Sequence, residues 1–112
     1  MKYYRYLYVS PGIKHVDKIK TKLKLHKGVI GIYVISLSSG NDQLEIMSSY
    51  YLKLKYYRKH PPVVVGLAES YDSALELVLM MQNEAIEHTG QPSIKEYLIQ
   101  RAKTKDFTKE LC

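Results

Sequence analysis

The fold turns on residues 61–72, Pro61-Pro62-Val63-Val64-Val65-Gly66-Leu67-Ala68-Glu69-Ser70-Tyr71-Asp72. The two prolines end whatever precedes them, because neither can donate a backbone hydrogen bond. Residues 63–68 are then apolar throughout, which is the pattern of a central strand covered on both faces. Ser70 or Asp72 supplies an N-cap for a long helix over residues 71–88, closed by Thr89-Gly90-Gln91-Pro92. That helix is apolar over more than half its circumference, through residues such as Leu75, Leu77, Leu79, Met81 and Ile86. Packing on one sheet needs less, so a second contact is implied. Ser93-Ile94-Lys95-Glu96 is a capping box that opens a short last helix bearing Ile94, Tyr97, Leu98 and Ala102, expected to cover part of the surplus.

Towards the N-terminus, residues 3–9 read as a strand broken by Ser10-Pro11-Gly12. Alternation sends Tyr4, Tyr6 and Tyr8 to one face and Tyr3, Arg5, Leu7 and Val9 to the other. Residues 13–26 take a helical period, with Ile13, Val16, Ile19 and Leu23 on one stripe, Lys14, Lys18 and Lys22 opposite, and Gly28 as the stop. Residues 29–37 are a second strand, Ser38-Ser39-Gly40-Asn41-Asp42 a turn, and residues 44–48 a third strand.

Residues 49–60 carry two periods at once. Met47, Tyr50, Leu54 and Tyr57 recur at helical spacing, while Leu52, Leu54 and Tyr56 alternate as in a strand. A helix is the expectation, since a strand running from residue 44 to 57 exceeds the usual length and a helix completes a strand-helix-strand repeat.

The order β-α-β-β-α-β with two further helices resembles, in element order alone, a ferredoxin-like split β-α-β sandwich. The expected class is therefore α+β, with an antiparallel four-stranded sheet and two C-terminal helices. Residues 1–102 form one domain and residues 103–112 a tail. Such a sheet packs helices on one face and leaves the other open, and the open face is where domains of this architecture commonly meet a partner; architecture alone does not choose the partner.

Composition adds location. The 112 residues include 11 Tyr, one Phe and no Trp, with a formal charge of +6. Residues 1–60 hold nine of the tyrosines and 12 basic against 3 acidic side chains; residues 61–112 hold 5 basic and 8 acidic. Such asymmetry points to an anionic partner or to head-to-tail self-association. The single cysteine, Cys112, forms no internal disulfide and suits a cytoplasmic location, and no apolar run is long enough to span a bilayer, so no membrane association is expected. Phosphate-binding glycine loops, zinc-protease helices, esterase elbows and paired cysteines are all missing as motifs, and no catalytic residue, cofactor or metal site is expected.

Three functions remain. The first is a small non-catalytic binding or regulatory module that self-associates, a homodimer being favoured, through a sheet face lined by Tyr4, Tyr6, Tyr8 and Tyr33; tyrosine suits interfaces because its ring is apolar and its hydroxyl stays bonded. The second is a nucleic-acid-binding protein using residues 14–27 and 53–60, with Lys14, Lys18, Lys22, Lys53, Lys55, Arg58 and Lys59 as phosphate contacts. The interleaved tyrosines of Lys53-Leu54-Lys55-Tyr56-Tyr57-Arg58-Lys59-His60 add stacking surfaces. The third strand, Leu44-Glu45-Ile46-Met47-Ser48, lacks the aromatics that RNA-recognition motifs use there. The third is a small enzyme with a pocket between the open sheet face and a partner subunit, using His60, a tyrosine or Ser70. His15 and Asp17 point to different sides of a helix and make a poor acid-base pair, while residues 70–72 equally suit plain helix capping.

Overall fold

The computed structural model describes residues 2–25, 27–37, 44–91 and 93–104, the last three by backbone alone. The expected turn at residues 38–42, His26 and residues 105–112 of the tail lie outside the described residues.

Four strands, β1 (Lys2–Val9), β2 (Tyr33–Leu37), β3 (Leu44–Ser48) and β4 (Val63–Ala68), form one sheet in the order β1-β4-β2-β3. Helix α1 (Val16–Lys24) follows β1; a 3-10 helix (Ser49–Lys53) and α2 (Lys55–Lys59) link β3 to β4; α3 (Tyr71–Thr89) and α4 (Ile94–Thr104) end the described chain. The α+β class and the C-terminal helices are as expected, but the sheet is mixed, because β1 runs parallel to β4 while β2 is antiparallel to both its neighbours. The departure lies in the β1-α1-β2 link, which returns β2 antiparallel to β1 where a split β-α-β unit would make the two parallel. Strand β4, antiparallel to β2, then runs with β1, and the Pro62 carbonyl at its start accepts from the Lys2 N–H at 3.4 Å.

No sheet face is open. On one side α3 and α4 cover Tyr4, Tyr8, Ile35, Val65 and Ala68. On the other, Leu23 of α1 and Leu52 of the 3-10 helix close over Val34, Met47, Val64 and Leu67. The double cover inferred from residues 63–68 therefore holds, and the open face inferred from element order does not. Strand β4 serves both layers by alternation, and a β-bulge resets its phase midway. Ile35 pairs with Gly66 but Ser36 pairs with Val64, leaving Val65 without a partner across the ladder. The extra residue shifts the phase, so Val64 and Leu67 enter one core and Val65 and Ala68 the other. Gly66 sits between neighbouring strands: a methyl group there would lie 2.9 Å from Ile35 Cδ1 and 3.3 Å from the Tyr8 carbonyl oxygen.

Helix boundaries follow local chemistry. Ser70 Oγ accepts from the Ser73 N–H at 3.0 Å and caps α3, and Gly90 ends it in the left-handed conformation, φ 74. Helix α1 is shorter than its periodicity, because Ser10 accepts from the Ile13 N–H in a turn and His15, at φ 57, starts the helix late. Strand β2 is shorter than residues 29–37 because Gly31, at φ 77, bends the chain just before it.

Residues 49–60 form neither one helix nor one strand. Ser49 Oγ accepts from the Val29 N–H and donates to the Val29 carbonyl, fixing the first turn. Leu52 is driven into the core while Leu54, extended at φ −67 and ψ 144, faces water and separates the 3-10 turn from α2. Among the described residues no helix is long and apolar enough to cross a membrane.

Candidate functional site

Tyr4, Tyr6 and Tyr8 do share a face, as alternation requires, but the chain's own helices lie on it. The Tyr4 hydroxyl donates to the Leu98 carbonyl of α4 at 2.7 Å, and the Tyr8 hydroxyl donates to Glu84 Oε1 of α3 at 2.8 Å. The same carboxylate oxygen accepts from the Tyr97 hydroxyl at 3.2 Å, while Arg101 Nη1 donates to the Tyr8 oxygen at 3.0 Å. The Arg101 guanidinium also covers the Tyr6 ring, 4.2 Å from its centroid. The reading of Tyr4, Tyr6 and Tyr8 as a subunit contact is thereby corrected: Tyr4 and Tyr8 are buried and Tyr6 half-buried inside one chain. Tyr33, half-buried, meets the Tyr71 ring edge-on at 6.1 Å.

Burial pushes the Tyr4 hydroxyl far above its ordinary range. Burial does the same to Tyr8, reinforced by its hydrogen bond to the Glu84 carboxylate. Both phenols are neutral donors at physiological pH, which suits them to hold helices and not to act as bases or nucleophiles.

The basic residues behave differently. Lys14, Lys18 and Lys22 lie at and along α1, and Lys53, Lys55, Arg58 and Lys59 along the 3-10 helix and α2; all seven are exposed. Both segments pack on the same face of the sheet. The two rows, separated in sequence by β2 and β3, therefore form one outer layer. Among described residues 10–31 and 49–60, ten are Lys or Arg and Asp17 is the single carboxylate. On the opposite face, α3 holds Asp72, Glu76, Glu84 and Glu87 and no Lys or Arg.

Aromatic rings punctuate the basic layer. Tyr50, Tyr51 and Tyr56 are 44%, 54% and 61% exposed, high values for so large a side chain. Lys53 Nζ lies 5.7 Å from the Tyr50 ring centre, and Lys20 Nζ lies 4.9 Å from that of Tyr3. Charge counting pointed to this half of the chain. The segment 14–27 read for nucleic-acid binding already spans Lys20, Lys24 and Lys27, whereas Tyr51 lies outside both segments and joins them only once α1 and residues 49–60 are known to share a sheet face.

At one end of this layer a groove of about 650 Å³ opens between α2 and α4. Tyr56, Tyr57, Lys59 and His60 line one wall and Lys95 and Ile99 of α4 line another, with Glu45 of β3 also in the groove. The Tyr56 and Tyr57 rings meet edge-on at 5.0 Å, and the His60 ring tilts onto Tyr56 at 4.9 Å. No hydrogen bond to another described residue orients the His60 ring, whose described contact is the Tyr56 ring.

His15 is exposed at the start of α1. His88 lies beside its own helix, with Nδ1 3.0 Å from the Glu84 carbonyl oxygen. Ser70 is engaged in capping, bonding both the Ser73 N–H and the Ser73 hydroxyl. Among the described residues no three His, Cys, Asp or Glu side chains converge where a metal ion would fit. The pocket that the enzyme reading placed between an open sheet face and a partner has no such face to form on. Comparison of the chain with protein-family models, curated proteins and solved structures returns no match.

Proposed function

We propose that the protein is a non-catalytic binding module whose basic layer engages a polyanion, and that single-stranded nucleic acid is the occupant its surface fits. One observation carries the reading: two basic rows, distant in sequence, share one layer, and the second row carries exposed tyrosines. Lys and Arg bind phosphates through release of condensed counterions. Exposed tyrosines add stacking on unpaired bases, which a duplex does not offer.

The test is fluorescence anisotropy with labelled single-stranded and duplex oligonucleotides over a salt series. A slope of log K against log salt near −0.7 per contacted phosphate is expected for single strands, hence about −3 to −4 if roughly half the layer's ten cations engage. Lys18→Glu with Lys22→Glu, and Lys53→Glu with Arg58→Glu, each weaken binding and flatten the slope. Tyr51→Ala with Tyr56→Ala weakens single-strand binding by about tenfold or more and leaves duplex binding almost unchanged. Failure to bind at low salt, or a slope indifferent to both double variants, removes the reading.

Self-association is a second reading, favoured by a different observation. Leu75, Leu79 and Ile86, with Tyr71 at the helix start, are exposed along one flank of α3, so α4 does not cover the apolar surplus of that helix. A second copy would seat there and not on Tyr4, Tyr6 and Tyr8. Light scattering across a concentration series checks it: a constant monomer mass up to about 100 μM rejects a dimer of useful affinity, and Leu79→Lys dissociates any dimer that forms through this flank.

A further inference from the structure

We infer that the groove between α2 and α4 is a site for one nucleoside monophosphate unit carrying an amino-bearing base, taken either as a free nucleotide or as the terminal unit of a strand. The inference rests on the proposed nucleic-acid reading and assigns to one place the part of binding that is selective. The basic layer presents cations and rings on an outer surface, whereas the groove is concave. Its volume of about 650 Å³ lies within the range of small-ligand sites.

Its walls supply three kinds of contact. First, Lys59 and His60 come from the end of α2 and Lys95 from the first turn of α4, elements on opposite faces of the sheet, and they line one groove at the sheet's end. The two lysines, Lys59 and Lys95, approach from two sides and suit a phosphate held between them, and the His60 ring offers a further polar contact. Second, the Tyr56 ring meets Tyr57 edge-on and the His60 ring at a tilt, and with 61% of the residue still exposed it leaves a supported aromatic surface for a base. Third, Glu45 places a carboxylate among these cations. A ligand consisting of phosphate alone would be repelled by it. An exocyclic amine on a base would donate to it, as carboxylates accept from cytosine N4. The groove therefore fits a molecule with an anionic end and a neutral, amine-bearing ring, and cytidine 5′-monophosphate is preferred over uridine 5′-monophosphate.

Titration of the full chain, followed by backbone amide chemical shifts, tests this. Cytidine 5′-monophosphate is expected to saturate with a dissociation constant at or below about 1 mM, with shifts at Tyr56, His60 and Lys95. Cytidine, inorganic phosphate and uridine 5′-monophosphate bind about tenfold more weakly or worse. Lys95→Glu and Lys95→Gln weaken the nucleotide about tenfold, while Lys95→Arg retains it. Glu45→Gln lessens the preference for cytidine over uridine nucleotides. A strand bearing a terminal phosphate binds more tightly than its hydroxyl-ended counterpart if the groove takes strand ends; equal binding assigns it to the free nucleotide. Three results overturn the inference: no saturation at about 10 mM nucleotide, inorganic phosphate binding as well as the nucleotide, or indifference to both Lys95 loss variants. If oligonucleotides bind while mononucleotides do not, the groove assignment falls and the basic-layer reading stands. If mononucleotides bind and oligonucleotides do not, the basic-layer reading falls instead.

Discussion

Replacing Glu84 by alanine should loosen α4 before anything else. One oxygen, Glu84 Oε1, accepts from Tyr8 of β1 at 2.8 Å and from Tyr97 of α4 at 3.2 Å, and lies 3.7 Å from Arg101 Nη1. It thus ties strand, long helix and last helix at a single point. A hydrogen bond to a charged acceptor contributes about 1.5 to 3 kcal/mol. Here the Glu84 side chain is 29% exposed, so water replaces part of what is lost, and the Tyr97 bond is the longer of the two. The ion pair with Arg101, 35% exposed, adds little. The low end is therefore appropriate, about 2 kcal/mol for Glu84→Ala and about 1 kcal/mol for Glu84→Gln, which keeps an acceptor oxygen but no charge.

At about 2.1 cal/mol/K per residue, a 112-residue chain unfolds with an entropy near 0.24 kcal/mol/K, so the alanine variant should melt about 8 °C lower. Guanidinium unfolding and calorimetry measure the total. Amide hydrogen exchange locates it, with protection in α4 falling more than protection in β4. A cycle with Tyr8→Phe should show a coupling of about 1 kcal/mol. A loss below about 0.5 kcal/mol in the alanine variant, with α4 protection unchanged, would refute the hub.

Gly66→Ala should cost about 1 to 3 kcal/mol in denaturant melts, because the added methyl meets Ile35 Cδ1 and the Tyr8 carbonyl in a bulged central strand; a neutral result would mean that the sheet opens freely there. Ser70→Ala should lower stability by about 1 kcal/mol through loss of the cap to the Ser73 N–H, and Ser70→Asp should recover most of it. Stability should hold up to about pH 9 and fall through pH 10 and above. Tyr4 and Tyr8 stay protonated in the folded chain, whereas the unfolded chain releases those protons from its ordinary value near 10, and each phenol contributes up to about 1.4 kcal/mol per pH unit to the decline. Tyr4→Phe should reduce that slope, and unfolding midpoints measured from pH 7 to 11 decide whether it does.

What was legible in the sequence was what neighbours in sequence control. Strand β4 runs over the residues its apolar run marks, and α3 runs from the Ser70 cap to the Gly90 stop because both signals act through backbone groups within a turn. The period of two correctly placed Tyr4, Tyr6 and Tyr8 together. What covers them was not legible, since the bonds to Glu84, Leu98 and Arg101 span 76 to 94 residues. Two expectations also conflicted. Residues 63–68 demanded cover on both faces, and the element order suggested one open face. The structure follows the residues, because leaving either Val64 or Val65 in water costs free energy whatever the topology resembles.

Residues 49–60 misled for another reason. Both periodicities assumed one continuous element, and the break at Leu54 carries neither Gly nor Pro to announce it. For the candidate site, each basic row was readable by charge alone, but their union was not. The Glu45 and Lys95 contributions to the groove needed the mixed sheet and the placement of α4.

The opposition between the lysine-bearing layer and acidic α3 has a kinetic consequence. Charges of opposite sign on the two sides of a sheet give the molecule an electric moment across its thickness, and a polyanion approaching from any direction exerts a torque on it. The basic side turns towards the visitor and Asp72, Glu76 and Glu87 turn away before any side chain touches. Orientation is then selected during diffusion, and fewer collisions are wasted on the wrong side. The effect reaches about 8 Å at physiological ionic strength and shrinks with added salt. Salt should therefore slow association as well as weaken the complex, and charge reversals on α3 should alter the on-rate while leaving the dissociation rate nearly constant.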